Sequence, residues 1–249
     1  MITDYKMDDS KLTRRTVLGG IATVGIGGGV VYGASTLGSD TSSTVSAEMH
    51  ATNGTGAFDI ELSGRPVMGA LDAPVSIYYW SEYQCPFCER FESDTLPKLI
   101  ENHVSTGDVR VIFIEFPYIG KNSMTAAVMN ECVWRQVKGS NPNAYWRWHS
   151  AVFDAQGKEN SGWASKSSLF DITRGVNGVS ASGVEQCMNR NRKSIEKSIE
   201  TDSQRARALG ISGTPGFIVY NRQSEKSGKI VGAQPYDQFE SAIEQVKNS

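Results

Sequence analysis

The sequence predicts an α/β fold with an inserted helical domain, preceded by an N-terminal signal or anchor segment, and three observations carry that prediction. Two β-branched and aromatic runs, Val75-Ser76-Ile77-Tyr78-Tyr79-Trp80 and Val109-Arg110-Val111-Ile112-Phe113-Ile114-Glu115-Phe116, flank a segment with apolar residues at helical spacing. About ninety residues of helical pattern follow before Gly216-Phe217-Ile218-Val219-Tyr220 resumes the strand pattern. Upstream of residue 58 the composition turns to Gly, Ser and Thr, unlike a packed core.

The N-terminal segment reads as an export signal. Thr13-Arg14-Arg15-Thr16-Val17-Leu18 resembles a twin-arginine translocation signal, and no charged residue occurs from Thr16 to Ser39. This stretch is rich in glycine and only moderately apolar, as twin-arginine signals tend to be. An uncleaved membrane anchor is the alternative, because about 20 residues at the helical rise span a bilayer. Val45-Ser46-Ala47 is a small-residue site for a signal peptidase, with Glu48 the first residue after it. No cysteine follows the apolar run, so lipid attachment there is not expected. The expected division is therefore signal or anchor over 1–34, a flexible linker over 35–57 and the globular body over 58–249.

Within the body, Phe58-Asp59-Ile60-Glu61-Leu62 alternates as a short strand, and Gly69 to Pro74 forms a turn into the first core strand. Phe91, Leu99, Ile100 and His103 mark a helix, and Gly107-Asp108 turns the chain into the second core strand. Strand, helix, strand in that order predicts a parallel pair with a right-handed crossover. The helical insertion, about 121–209, has Met124, Ala127, Val128, Cys132 and Val133 on one face of its first helix, and Tyr145, Trp146, Trp148, His149, Val152 and Phe153 in the next. Ser167 to Arg174, Ser182 to Met188 and Ser194 to Leu209 predict three more segments. Gly210 stops the last. A turn through Ser227-Gly228 then predicts an antiparallel strand at Lys229-Ile230-Val231-Gly232, and a final helix runs from about Pro235 to Val246. The aromatic run Tyr145-Trp146-Arg147-Trp148 is assigned to core, where aromatics at helical spacing usually belong.

The chemistry concentrates at Cys85-Pro86-Phe87-Cys88, between the first strand and its helix. Unpaired N–H groups and the positive end of the dipole in the first helical turn favour a thiolate there. Pro86 suits the first helical position, where its missing N–H costs nothing. Cys85 reads as an exposed nucleophile and Cys88, one turn further in, as the buried resolving thiol. A zinc site is the competing use of such spacing, but Cys132 and Cys187 stand singly, and His50, His103 and His149 show no ligand spacing. A net charge of −2 with mixed signs gives no footprint for nucleic acid, and four cysteines suit an oxidising compartment.

The Cys-Pro-Phe-Cys helix start, the helical block, and Gly213-Thr214-Pro215 just before a strand together resemble the DsbA-like thiol-disulfide oxidoreductases, members of the thioredoxin superfamily, over about Gly64 to Val246. The resemblance implies a thioredoxin-like fold and a cis Pro215 whose loop, with Thr214, lies against the cysteines and pairs with extended substrate. It implies no cofactor and no metal. Cys132 and Cys187 fall where some relatives carry a structural disulfide; two isolated buried thiols are the alternative.

Two departures from the family pattern matter. Members with an imidazole between the cysteines use it to hold the thiolate, whereas Phe87 supplies no charge. The expected Cys85 pKa therefore lies below the free-thiol value of about 8.5 but above about 3.5, the value of the strongest oxidants. The buried acid that many thioredoxin-like proteins place six residues before the first cysteine is Tyr79 here; Glu82 is either its substitute or a solvated loop charge. The expected activity is disulfide formation or exchange in exported proteins that carry cysteines, with an unidentified redox partner resetting the pair. Reductase or isomerase action, or a non-catalytic dithiol copper carrier, are the alternatives. The expected location is beyond the cytoplasmic membrane, with attachment through residues 16–39 if the signal is retained.

Overall fold

A computed structural model describes residues 47–248. The twin-arginine motif, the apolar stretch 16–39 and the larger part of the expected linker lie outside the described residues. Among the described residues, no helix is long and apolar enough to cross a membrane. From Ala47 the chain is already packed: Ala47 and Met49 are buried, and Met49–His50 forms β1, paired antiparallel with β2 (Val67–Met68). The body thus takes in residues that composition assigned to the linker, because one buried methionine and a bond from its N–H to Asn143 Oδ1 (2.8 Å) hold a segment that is otherwise polar.

β3 (Val75–Ser81) leads through the cysteine motif into α1 (Pro86–Asp94) and α2 (Leu96–Leu99), and β4 (Val109–Glu115) follows. The helical insertion comprises α3 (Ser123–Val137), α4 (Asn143–Asp154), α5 (Lys166–Gly175) and α6 (Ala181–Ala208). β5 (Gly216–Asn221), β6 (Ser227–Val231) and α7 (Tyr236–Lys247) complete the chain. The strands form a sheet in the order β1-β2-β4-β3-β5-β6. β3 and β4 run parallel from Val75 opposite Val109 to Ser81 opposite Glu115, as the strand–helix–strand order predicts, and the other pairs are antiparallel.

Strand alternation divides the core between the two sheet faces. Ile77, Tyr79, Val111, Phe113, Phe217 and Val219 pack with Phe91 and Leu99, with Phe239 and Ile243, and with Tyr145 and Trp148 of the insertion. Tyr78, Trp80, Ile112, Ile114 and Ile218 pack on the opposite face with Ile60, Leu62 and the end of α6. Both faces are covered, so every residue of β3 and β4 is buried. Tyr145 and Trp148 are core residues, in keeping with their helical spacing.

The structure departs from the sequence expectations in four elements. Residues 57–62 are not a strand. Ala57–Asp59 is a single 3-10 turn with Phe58 and Asp59 at positive φ, fixed by Ala57 N–H donating to Tyr78 Oη (2.8 Å) and by the Phe58 ring against Tyr78 and Tyr220. The helix after Cys88 breaks at Thr95, where Pro97 removes a backbone donor, and it ends in a wide turn over Ile100–Val104. The last two segments of the insertion are one 28-residue helix, α6, capped by the Ser180 hydroxyl accepting from Gly183 N–H. Its polar middle, Asn189 to Lys193, breaks the apolar pattern without breaking the helix, and Arg192 pairs with Glu196 one turn on. The β5–β6 reversal occurs over 222–226, where Asn221 Oδ1 accepts from Gln223 and Ser224 N–H; Gly228 lies inside β6, opposite Val219. Gly210 does end α6, at φ +74°.

Candidate active site

β3 carries the chain to the C-terminal edge of the sheet, and Cys85 sits there as the residue capping α1, with extended backbone (φ −82°, ψ 115°) and Pro86 in the first turn. The Cys85 carbonyl accepts from Cys88 N–H (3.0 Å) and Glu89 N–H (3.2 Å), closing that turn. Gln156, just past the end of α4, donates from Nε2 to the Tyr83 and Cys85 carbonyls (2.6 and 3.2 Å).

Across from the cysteines the Thr214-Pro215 peptide is cis. Gly216 then lets the loop close on the body: a Cβ there would meet Ile211 Cγ2 at 2.6 Å and the Gly213 carbonyl at 3.1 Å. Cys85 Sγ donates to the Thr214 carbonyl at 3.3 Å, and Thr214 N–H donates to Tyr118 Oη at 3.4 Å. Both backbone groups of Thr214 are thus occupied. The Thr214 hydroxyl is buried without a partner while Cys85 is a thiol.

Both cysteines are free thiols in this structure. Cys85 is 2% exposed, so the expectation of an exposed nucleophile is corrected: the Thr214-Pro215 loop covers its sulfur. Its pKa is lowered to about 6, first because the Cys88 thiol donates to its sulfur, and further because the Thr214 side chain and the Cys88 and Phe87 N–H groups favour the thiolate against the opposing effect of burial. That value falls between the two limits expected from the sequence. Cys88 is fully buried, and burial pushes its thiol well up, with the Cys85 contact adding to the effect. Phe87, between them, is 53% exposed under the Arg90 guanidinium, 5.1 Å from its ring centroid.

Glu82 is neither near the surface nor a solvated loop charge. It is buried, its carboxylate accepts from Gln84 N–H (3.0 Å) and Tyr118 N–H (2.9 Å), and burial raises its pKa against those bonds. Through Tyr118 it braces the loop that faces Thr214. Cys132 and Cys187 are joined by a disulfide with Cα atoms 5.7 Å apart, tying α3 to α6 within the insertion. Among the described residues no group of three or more His, Cys, Asp or Glu side chains converges as metal ligands.

Sequence reasoning missed Tyr118, Glu92 and His149 as neighbours of the site. Tyr118 lies in a loop with no periodicity to place it. Glu92 had a signal, standing one helical turn after Cys88 on the buried side of α1, and His149 had another in its position within a run of core aromatics.

A family model described as thioredoxin matches residues 61–245. Disulfide bond formation protein D of Bacillus subtilis is 27% identical over 183 residues, covering 74% of this chain and 77% of that protein. Probable disulfide bond formation protein D of Bacillus cereus is 30% identical over 153 residues, 61% and 68% of the two chains. Among solved structures, oxidised BdbD from Bacillus subtilis superposes with a TM-score of 0.64 at 26% identity, covering 80% of this chain and all of that one. Wolbachia pipientis alpha-DsbA1 shares the fold, with a TM-score of 0.62 at 23% identity over 74% of this chain and 91% of that one. With the parallel β3–α1–β4 unit, the helical insertion and these matches in agreement, the chain belongs to the thioredoxin family as a DsbA-like thiol-disulfide oxidoreductase homologous to BdbD.

Proposed function

We propose that Cys85 and Cys88 are the redox pair and that the protein forms or exchanges disulfides in cysteine-containing proteins beyond the cytoplasmic membrane. One observation carries this most: a thiol lowered to about 6 at a helix start, pressed against a cis Thr214-Pro215 loop, with a second thiol buried beside it. In the oxidising direction, a substrate thiolate attacks Cys85 Sγ of the Cys85–Cys88 disulfide. The S–S bond breaks, Cys88 leaves with the electron pair and takes a proton, and a mixed disulfide joins Cys85 to substrate. A second substrate thiolate then attacks the substrate sulfur, and Cys85 leaves as a thiolate. Two electrons have passed from substrate to the pair, which a further redox partner must reoxidise.

Thr214 and Pro215 are the substrate-docking residues of this scheme, with Pro86 and Phe87 shaping the helix start. The lowered Cys85 pKa favours oxidase action, because stabilising the reduced form makes the disulfide a stronger oxidant. The names of the Bacillus relatives agree with that direction. A cleaved or retained signal over 1–34 would deliver the domain to the far side of the membrane.

The test is oxidative refolding of a reduced, cysteine-containing protein by the oxidised enzyme, alongside trapping with Cys88→Ala. The wild type is expected to restore the substrate's disulfides, Cys85→Ser to be inactive, and Cys88→Ala to accumulate a mixed disulfide at Cys85. Equal activity in Cys85→Ser would remove Cys85 from the mechanism.

A further inference from the structure

The end of the sheet away from the cysteines carries two arginines that the exchange steps do not use. Arg110 is the second residue of β4, opposite Ser76 of β3, and Arg222 follows Asn221, the last residue of β5, which lies opposite Val75. Cys85 lies beyond the other end of β3, a strand about 20 Å long.

Arg110 is 5% exposed. Its Nε donates to Ser76 Oγ (2.9 Å) and its Nη1 to the Leu71 carbonyl (2.8 Å), both neutral acceptors. Arg222 Nη1 donates to the same Leu71 oxygen (3.1 Å) and to the Ala73 carbonyl (3.1 Å). One carbonyl oxygen thus holds two guanidiniums side by side, and among the described residues neither forms an ion pair with a carboxylate. Burial, and then the Arg222 charge, push the Arg110 pKa down. A buried charge that faces a like charge weakens a fold unless an anion joins the two.

The two arginines line a cavity of about 490 Å³ together with Thr52, Asn53, Gly56, Tyr78 and Tyr220. Donors without partners face no acceptor there. Arg110 Nη2 makes no hydrogen bond among the described residues, and Tyr78 Oη accepts from Ala57 N–H (2.8 Å) while its own proton goes to no acceptor among them. Gly56 keeps the space open, since a Cβ there would stand 2.6 Å from Tyr78 Oη and 3.2 Å from Leu62 Cδ2. Glu225, in the turn between β5 and β6, is the acidic residue of the lining; it is exposed and pairs with neither arginine.

We propose that this cavity binds a tetrahedral dianion, inorganic phosphate or the terminal phosphate of a monoester, between Arg110 and Arg222. The phosphate oxygens accept from Arg110 Nη2, from the Arg222 N–H groups that Leu71 and Ala73 leave free, and from the Tyr78 hydroxyl. Charge-assisted bonds from two planar guanidiniums suit the anion's geometry, and its charge offsets theirs. Glu225 opposes it from the rim. Binding is independent of the redox state of Cys85 and Cys88.

The test is calorimetric titration of the full-length protein with sodium phosphate at mildly alkaline pH, against sodium chloride at matched ionic strength. Saturable binding with half-saturation at about 1 mM or below is expected for phosphate and absent for chloride. Arg222→Gln keeps an amide for the Leu71 and Ala73 carbonyls but removes one charge, and should weaken phosphate at least about tenfold. Arg222→Glu sets a carboxylate beside Arg110 and should abolish binding. Phosphate should raise the thermal midpoint of the wild type and leave that of Arg222→Glu unchanged. Arg222 is exposed, so both variants should keep the wild-type circular dichroism and the wild-type rate of glutathione reduction at Cys85–Cys88. Glycerol 3-phosphate in place of phosphate separates the two sources: equal affinity assigns a monoester, and lost binding assigns the inorganic ion. No saturable binding by the wild type, or equal affinity in the wild type and Arg222→Glu, overturns the site.

Discussion

Lowering the Cys85 thiol from its ordinary 9.0 to about 6 makes the stability of the reduced protein depend on pH. The group is depressed in the fold, so its stabilisation is fully present above the unfolded value and is lost as pH falls through the folded one. Between the two, the unfolded chain binds more protons than the folded chain, and stability rises with pH. From pH 5 to pH 8 the gain from this group is about 2.7 kcal/mol, out of about 4 kcal/mol over the whole window. Urea unfolding of the reduced wild type and of Cys85→Ser at both pH values measures it, since every other titrating group is present in both proteins. Cys88, raised by burial, acts with opposite sign at higher pH and is likewise common to the two. The wild type should gain about 2.7 kcal/mol over Cys85→Ser between the two conditions, equivalent to about 60 mV in the potential of the pair at pH 8. Parallel pH dependence in the two proteins would refute the claim that the helix start, Cys88 and Thr214 together hold a thiolate.

Two further outcomes follow from other parts of the structure. Replacing both Cys132 and Cys187 by Ala should cost about 4 kcal/mol of unfolding free energy, from a closed loop whose ends are 55 residues apart, and should leave glutathione reduction of Cys85–Cys88 unchanged. Tyr118→Phe frees the Thr214 N–H for a substrate backbone, so KM for a cysteine peptide should fall about two- to tenfold with kcat unaltered. An unchanged KM would show that the Tyr118 hydroxyl does not compete with substrate.

Much of the frame was legible because it depends on local pattern. The β-branched runs of β3 and β4 and the glycine after α6 each encode their element within a few residues, and Pro86 announces a helix start wherever the chain places it. What stayed hidden depends on contacts across the chain. Residues 58–62 alternate like a strand, yet Tyr78 and Arg205, which hold the Ala57 N–H and the Phe58 carbonyl, lie far away in sequence. The join within α6 was hidden because a solvent-facing polar stretch removes the apolar period while leaving helix propensity intact. The family resemblance put the Thr214 loop against the cysteines, but how closely it covers Cys85 was hidden: Thr214 is 129 positions away, and no local signal sets the approach of its carbonyl to the sulfur.

The opposite treatment of the two sulfurs bears on direction. Cys85, held as a thiolate, is a good leaving group when a substrate's second thiol attacks the mixed disulfide. Cys88, fully buried and held as a thiol, attacks that same mixed disulfide poorly, because the thiolate is the nucleophile. In the proposed oxidation, the mixed disulfide would therefore be resolved by the substrate's own second cysteine rather than by Cys88. On this argument the burial of Cys88, as much as the helix start that holds Cys85, is what the proposed oxidase action would draw on.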